Sequence, residues 1–139
     1  MQEDIRWKQR FDNFDRAFTL LRTALQSCAL DDFSDLEQEG IIQRFEYSFE
    51  LAWKTMKDYL ENSGVVLSPV TPRAVIKEAF AANMIDDGDG WIAMMLHRNQ
   101  LSHTYDMVTF RQVLVAVKEH YLPILEQLHQ WLQQQLKIS

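Results

Sequence analysis

Apolar side chains recur along this chain at the spacing of an α-helix, and that periodicity limits its fold more than any other feature of the sequence. Over residues 7–25, large apolar residues follow one another at steps of three or four. Such a stripe lies on one face of a helix and is buried only if a second element packs against it. Similar stripes run over residues 42–60 and 110–131. The pattern therefore predicts three long helices that pack on one another.

Capping residues predict where the first two helices end and begin. The first helix is expected to fade near Ala29, and the turn that follows supplies Ser34 or Asp35 to accept hydrogen bonds from the first amides of the second helix. The second helix is expected to end at Gly64, because glycine readily takes the left-handed conformation of a helix C-cap.

The second half of the chain predicts two short helices and a third long one. Thr71 precedes a proline, a pair typical of a helix start, so a short helix is expected over residues 72–82. A fourth helix is expected to begin near Trp91, and a fifth after Asp106, which can cap it. Pro123 lies inside the last stripe, so we expect it to kink the fifth helix without ending it.

Composition agrees with a helical fold. The 139 residues include only four glycines and three prolines, too few for a turn-rich β-sandwich, while 47% of the chain is apolar, enough for one core. The expected architecture is an all-α, antiparallel up-and-down helical bundle of three long and two short helices, similar to a four-helix bundle. Residues 1–139 are expected to form this single domain.

Charge and targeting features exclude several classes of function. The uninterrupted apolar runs are far too short to cross a bilayer, and the first residues carry no secretory signal pattern, so a cytoplasmic protein is expected. The net charge of −6 argues against broad electrostatic capture of nucleic acid, so any nucleic-acid site must be local. One cysteine and four scattered histidines suggest no metal cage, and we expect no metal or other cofactor.

One polar segment is a candidate for chemistry. Residues 97–106 gather a guanidinium, two imidazoles and a phenol beside a helix boundary. Arg98 suits a phosphate because its planar fork donates two charge-assisted hydrogen bonds, and His103 suits proton transfer near neutral pH. Together they describe metal-free cleavage of RNA, in which arginine neutralises the transition state and imidazole moves a proton. The alternative is a structural role, in which these polar residues cap carbonyls and pair with Asp106.

The spacing of the two groups limits how they can meet. At 100° per residue, Arg98 and His103 differ by about 140° around an uninterrupted helix. They share a site only if the helix loosens before His103, or if a second protomer completes the pocket.

The same segment is similar to the Arg-x4-His-x-Tyr motif of the HEPN superfamily. Arg98, His103 and Tyr105 occupy the three motif positions. Flanking blocks over residues 6–11 and 43–54 resemble the branch known as nucleotidyltransferase substrate-binding, or HepT-like, proteins. The three blocks stand in the family's order, and the resemblance covers nearly the whole chain.

This resemblance implies a helical homodimer encoded beside a minimal nucleotidyltransferase that binds it. In toxin–antitoxin members, the HEPN protein is a metal-independent endoribonuclease whose cleft lies between protomers, and the nucleotidyltransferase silences it by transferring AMP to the motif tyrosine. By position, Arg98 and His103 are implied to be catalytic. Asn99 and Ser102 would be supporting polar residues, and Tyr105 would receive AMP.

The family's name preserves a second interpretation. A non-catalytic member would present nucleotide or another substrate to its nucleotidyltransferase partner, as the binding subunit of a two-component enzyme. The acidic charge of the chain favours this role, whereas the intact motif favours a ribonuclease that acts on RNA. At the level of sequence, both an enzyme and a binding subunit remain hypotheses.

Overall fold

Every regular element in the part of the chain that we describe is helical. The computed structural model describes the backbone over residues 3–103 and 106–138, and side chains over residues 6–102 and 106–138. In chain order the elements are α1 (Glu3–Ser27), a 3₁₀ turn (Leu30–Asp32), α2 (Asp35–Asn62), α3 (Pro72–Ala81), α4 (Gly88–His103), α5 (Met107–Ala116), a π-helical segment (Val117–Tyr121) and α6 (Leu122–Ile138). None of these helices has an apolar stretch long enough to cross a lipid bilayer. The all-α prediction is confirmed.

α1 and α2 run antiparallel. Near the start of α1, the ring of Trp7 packs edge-on against Tyr59, near the end of α2, with ring centroids 5.0 Å apart. Towards the other end of the pair, Nη1 of Arg44 in α2 donates to the backbone carbonyl of Leu20 in α1 at 3.2 Å. Early residues of one helix therefore meet late residues of the other.

α6 also lies antiparallel to α1. Nε2 of His129 is 2.6 Å from Oδ1 of Asp15, and Nη1 of Arg22 is 3.3 Å from Oε1 of Glu126. Later residues of α1 thus meet earlier residues of α6. The imidazole of His129 is buried against three rings of α1, those of Phe11, Phe14 and Phe18. The up-and-down arrangement is therefore held by both polar and aromatic contacts.

Local capping chemistry fixes the helix ends. Oγ of Ser34 accepts from the amide of Glu37 at 3.1 Å, and the carboxylate of Glu37 accepts from the amide of Ser34 at 2.8 Å, which forms a capping box at the start of α2. Gly64, just after α2, has φ of +93°. Oγ1 of Thr71 accepts from the amide of Ala74 at 3.2 Å. All three predicted ends are confirmed.

α4 begins earlier than the sequence predicted. It starts at Gly88 rather than near Trp91, because Asp87 caps it. Oδ1 of Asp87 accepts from the amide of Gly90 at 2.8 Å, and its carbonyl accepts from the amide of Trp91 at 3.1 Å. Gly88 and Gly90 both lie in the first turn of the helix.

The last long helix passes through the π-helical segment. Backbone dihedral angles at Val117 and Leu122 remain in the right-handed helical region, so α5, the π segment and α6 form one continuous rod. Pro123 follows directly and cannot donate to the carbonyl of residue 119. The disturbance expected at Pro123 takes the form of a widened turn, through which the apolar stripe continues.

Aromatic side chains fill much of the core, and they fix where α4 lies. The ring of Trp91 in α4 is fully buried against Phe49 of α2, with centroids 6.2 Å apart. Burial of such a ring contributes roughly 2 to 3 kcal/mol. Other fully buried aromatic residues are Phe14, Phe18 and Phe45. The C-terminal half of α4, which carries the candidate motif, is thereby held beside α2.

Candidate functional site

Arg98 projects from α4 onto the surface of α2. It lies seven residues after Trp91, so the two side chains share a face of α4 within about 20°. Its Nη2 donates to Oε2 of Glu50, and its guanidinium lies over the ring of Phe49, 5.9 Å from the centroid. The side chain of Arg98 is 28% exposed. The guanidinium is therefore held at the surface in a fixed direction, where a ligand can reach it.

Carboxylates of α2 surround this guanidinium. Glu50 also forms an i,i+4 pair with Lys54, with Nζ and Oε1 3.4 Å apart. Burial raises the pKa of Glu46, and the charge of Arg98 acts in the opposite direction on that carboxyl group. The cluster of Arg98, Lys54, Glu46 and Glu50 thus mixes both signs of charge, and an anionic ligand would have to compete with Glu50 for Arg98.

Two further residues of the candidate motif lie near Arg98 on the exposed side of α4. Oδ1 of Asn99 accepts a hydrogen bond from Nη1 of Arg98 at 3.3 Å. Ser102 is exposed one turn later. The structure therefore brings Asn99 directly to the guanidinium and leaves Ser102 at the surface.

α4 continues through His103, whose side chain lies outside the described residues, as do Thr104 and Tyr105. The sequence allowed a helix that loosens before His103, but the helix remains regular up to that residue. Positions 98 and 103 of a regular helix differ by about 140° around its axis. A site that uses both groups of a single chain would need the two side chains to reach around the helix.

The carboxylate of Asp106 caps the start of α5 and does not pair with Arg98. Its Oδ1 accepts from the amide of Val108 at 3.1 Å, and its Oδ2 accepts from Oγ1 of Thr109 at 3.3 Å. The predicted N-cap is confirmed. Arg98 itself pairs with Glu50 of α2 rather than with Asp106.

His97 makes a contact that the sequence analysis missed. Its Nδ1 lies 2.6 Å from the hydroxyl of Tyr121, in the π-helical segment, and the Tyr121 ring stacks on Phe45 at 5.9 Å. Burial lowers the pKa of His97 and raises the pKa of Tyr121, so the phenol donates to a neutral imidazole at neutral pH. Pro123 pointed to a distorted turn, but nothing in the sequence pattern paired Tyr121 with His97.

A cavity of about 140 Å³ lies beside the motif, between α2 and the junction of α4 with α5. We call it the acidic cavity, since four carboxylates line it, those of Asp35, Glu39, Glu46 and Asp106. Ile42, Leu101 and Phe110 add an apolar part to its wall. This cavity suits a cationic or amphipathic group and disfavours a phosphate.

Comparison with known proteins places the chain in a family. The sequence profile of the family described as nucleotidyltransferase substrate binding protein like matches residues 9–134. The chain belongs to this family. This confirms the resemblance that rested on residues 6–11, 43–54 and the motif.

Similar proteins from two bacteria agree with that assignment. A protein of Haemophilus influenzae called probable ribonuclease HepT is 31% identical over 97 residues, which cover 66% of each protein. The solved structure of HI0074, also from H. influenzae, is 25% identical, covers 88% of this chain and 98% of its own, and has a TM-score of 0.79. HI0074 is described as having the fold of a substrate-binding domain of a nucleotidyltransferase. A solved structure from Thermus thermophilus is 29% identical, with a TM-score of 0.71 over 83% of this chain and 94% of its own.

Proposed function

We propose that this protein is a metal-independent endoribonuclease that acts as a homodimer in the cytoplasm, as the toxin of a toxin–antitoxin pair. The observation that carries the proposal is the direction of the motif residues on α4. Because the helix is regular through His103, one chain presents Arg98 and His103 on different faces. A second copy related by a two-fold axis completes a cleft with both groups. The relative called probable ribonuclease HepT supports the same activity.

The proposed reaction needs a base, an acid and a charge that stabilises the transition state. One His103 imidazole takes the proton of the ribose 2′-hydroxyl, whose oxygen attacks the adjacent phosphorus. The bond from phosphorus to the 5′ oxygen breaks, and the His103 imidazole of the second copy protonates the leaving oxygen. The products are a 2′,3′-cyclic phosphate and a 5′-hydroxyl. Arg98 exchanges Glu50 for the phosphate and neutralises the charge that develops there.

Cleavage in the presence of EDTA tests this activity. The purified protein should degrade single-stranded RNA, and His103→Ala should abolish cleavage while leaving the helical circular dichroism signal and the dimer mass unchanged. His120→Ala is the matched control, because His120 is an exposed imidazole on the π-helical segment. Failure of the unmodified protein to cut varied RNAs, or equal loss in the His120→Ala variant, would contradict the proposal.

Modification of Tyr105 is the proposed means of control. A partner minimal nucleotidyltransferase transfers AMP from ATP to the Tyr105 hydroxyl and releases pyrophosphate, which adds an anion to the motif that competes with the scissile phosphate for Arg98. Intact-mass spectrometry after co-expression with the nucleotidyltransferase should show an increment of one or more AMP units. The Tyr105→Phe variant should show none, and an increment that persists in it would place the modification elsewhere.

A non-catalytic binding subunit is the second candidate, and the likeness to HI0074 favours it. In this role the protein presents nucleotide or another substrate to the nucleotidyltransferase. The isolated protein would then lack ribonuclease activity, bind ATP in calorimetry and alter the rate of its partner. Cleavage that depends on His103 would decide against this candidate.

A further inference from the structure

A groove between α1 and α2 differs in charge from the acidic cavity. It has a volume of about 190 Å³ and is lined by Asn13, Arg16, Ala17, Leu20, Arg44 and Tyr47. None of these described lining residues is acidic, whereas four carboxylates line the acidic cavity. In a chain with a net charge of −6, an anionic ligand is therefore drawn to this groove in preference to the acidic cavity. We call it the α1/α2 groove.

The α1/α2 groove exposes an aromatic ring to solvent. Tyr47 is 61% exposed, although most other aromatic residues of α2 are buried in the core. Leu20, across the groove, is 53% exposed and offers a second apolar surface. An exposed ring flanked by arginines is the arrangement on which an unpaired nucleobase stacks. The groove therefore suits a base together with its phosphate.

The two arginines of the groove can bind that phosphate. Arg44 is fixed across the two helices, since it donates to the carbonyl of Leu20 at 3.2 Å. Arg16 pairs with Asp12 at 2.6 Å, and both side chains of that pair are about two-thirds exposed, at 69% and 65%. Such exposed pairs contribute little, so a phosphate can take the place of Asp12.

Position on α2 connects the groove to the candidate site. Arg44, Tyr47 and Glu50 follow one another at steps of three residues, which covers about 9 Å along the helix axis. Arg44 contacts α1 at one end of this row, and Glu50 contacts Arg98 of α4 at the other. Tyr47 consequently lies between the guanidinium of Arg44 and that of Arg98.

We propose that the α1/α2 groove binds single-stranded RNA beside the phosphate held by Arg98. One base of the strand stacks on Tyr47, and the adjoining phosphate is bound by Arg44 and Arg16. This inference rests on the proposed ribonuclease function. It places the substrate strand along a path over the protein surface from Arg98, across α2, to α1.

Fluorescence anisotropy with a short fluorescein-labelled oligouridylate tests the groove, with every variant built on His103→Ala so that the probe stays intact. Tyr47→Ala should weaken binding by about 5- to 100-fold, and Tyr47→Phe should stay within about twofold because it keeps the ring. Arg44→Gln should lower the slope of log affinity against log salt by about 0.7. Arg73→Gln, an exposed arginine of α3 outside the groove, is the matched control and should change neither quantity by as much.

Several results would overturn the inference. They are absence of binding to the probe, equal affinity of Tyr47→Ala and its parent, and an equal effect of Arg73→Gln. A dimer mass lost in Tyr47→Ala would show that a second copy occupies the groove instead. AMP is a second probe: tighter binding of the strand than of AMP supports an RNA path, and equal binding would indicate a mononucleotide site.

Cleavage kinetics separate this inference from the proposed function. On the active protein, Tyr47→Ala should raise KM and leave kcat near its original value, since the ring lies outside the reacting groups. If Tyr47→Ala cleaves RNA with an unchanged KM, RNA binding in the α1/α2 groove is contradicted but the ribonuclease activity is not. If RNA binding depends on Tyr47 but the protein cleaves no RNA, the ribonuclease activity is contradicted and RNA binding in the groove is supported.

Discussion

Adjacent residues of α4 hold its C-terminal half on two sides. Arg98 faces α2 and donates to Glu50, while His97, 100° away around the helix, meets the hydroxyl of Tyr121 in the π-helical segment. The two contacts are both partly buried but differ in kind, because one is an ion pair and the other a neutral hydrogen bond. Protonation of His97 would remove the acceptor of the second contact.

Acidification should therefore destabilise the fold through His97. Burial lowers its pKa from the ordinary value of 6.5, so its contribution is complete above pH 6.5 and is lost as pH falls through the folded-state value. The midpoint of thermal unfolding should fall with pH below about 6.5, and it should fall less in His97→Gln. Thermal scans over a pH series measure how the unfolding midpoint changes with pH in the original protein and in His97→Gln. An equal change in the two proteins would contradict a role for His97.

At the scale of elements, the start of α4 depends on the N-cap Asp87, which the sequence analysis did not identify. Asp87 accepts from the amide of Gly90, and the helix then carries Trp91 into the core beside Phe49. A Cβ on Gly90 would lie 2.5 Å from Oδ2 of Asp87 and 2.6 Å from Cδ1 of Ile124, so a larger residue there would displace the capping carboxylate and the Ile124 side chain of α6. Cap, glycine and tryptophan together set the position from which Arg98 projects.

Loss of this cap should weaken the whole fold measurably. Asp87→Ala leaves amides of the first turn of α4 without their acceptor and should lower the free energy of unfolding by about 1 kcal/mol. Urea denaturation followed by circular dichroism measures the change. Asp86→Ala is the control, since Asp86 is an exposed neighbour of the same charge. Equal losses in the two variants would show a charge effect rather than a cap.

At the scale of the whole molecule, a buried carboxylate joins α1 to the C-terminal half of α2. The side chain of Asp58 is fully buried and accepts from Nε of Arg10 and from Nζ of Lys57, each at 3.0 Å. The buried charge is tolerated because two cations compensate it. Where α1 meets α6, Nε2 of His129 lies 2.6 Å from Oδ1 of Asp15, and the imidazole packs against the ring of Phe18.

Removal of Arg10 should be costly because Asp58 stays buried. Arg10→Ala should lower the free energy of unfolding by about 2 kcal/mol. Arg16→Ala, which breaks the exposed pair with Asp12 on the same helix, should change it by less than about 0.5 kcal/mol. Chemical denaturation of both variants compares them directly, and similar losses would show that Asp58 gains little from Arg10.

Local signals predicted much of this protein, and long-range contacts account for what they missed. Ser34, Gly64 and Thr71 act within a few residues, so their roles as caps follow from short patterns. The pair of Glu50 with Lys54 is also local, since four residues separate the two on one helix face. The contact of Glu50 with Arg98 spans 48 residues and has no local signature.

The sequence by itself determined the all-α fold, the helix ends near most caps, and the motif centred on Arg98, because periodicity and capping depend on neighbours along the chain. Only the tertiary structure decided that Glu50 holds Arg98, that Tyr121 meets His97, and that two arginines and Tyr47 share one groove. These contacts arise where separate helices pack, and their partners are chosen by the rotation and register of each helix, which a one-dimensional pattern does not specify.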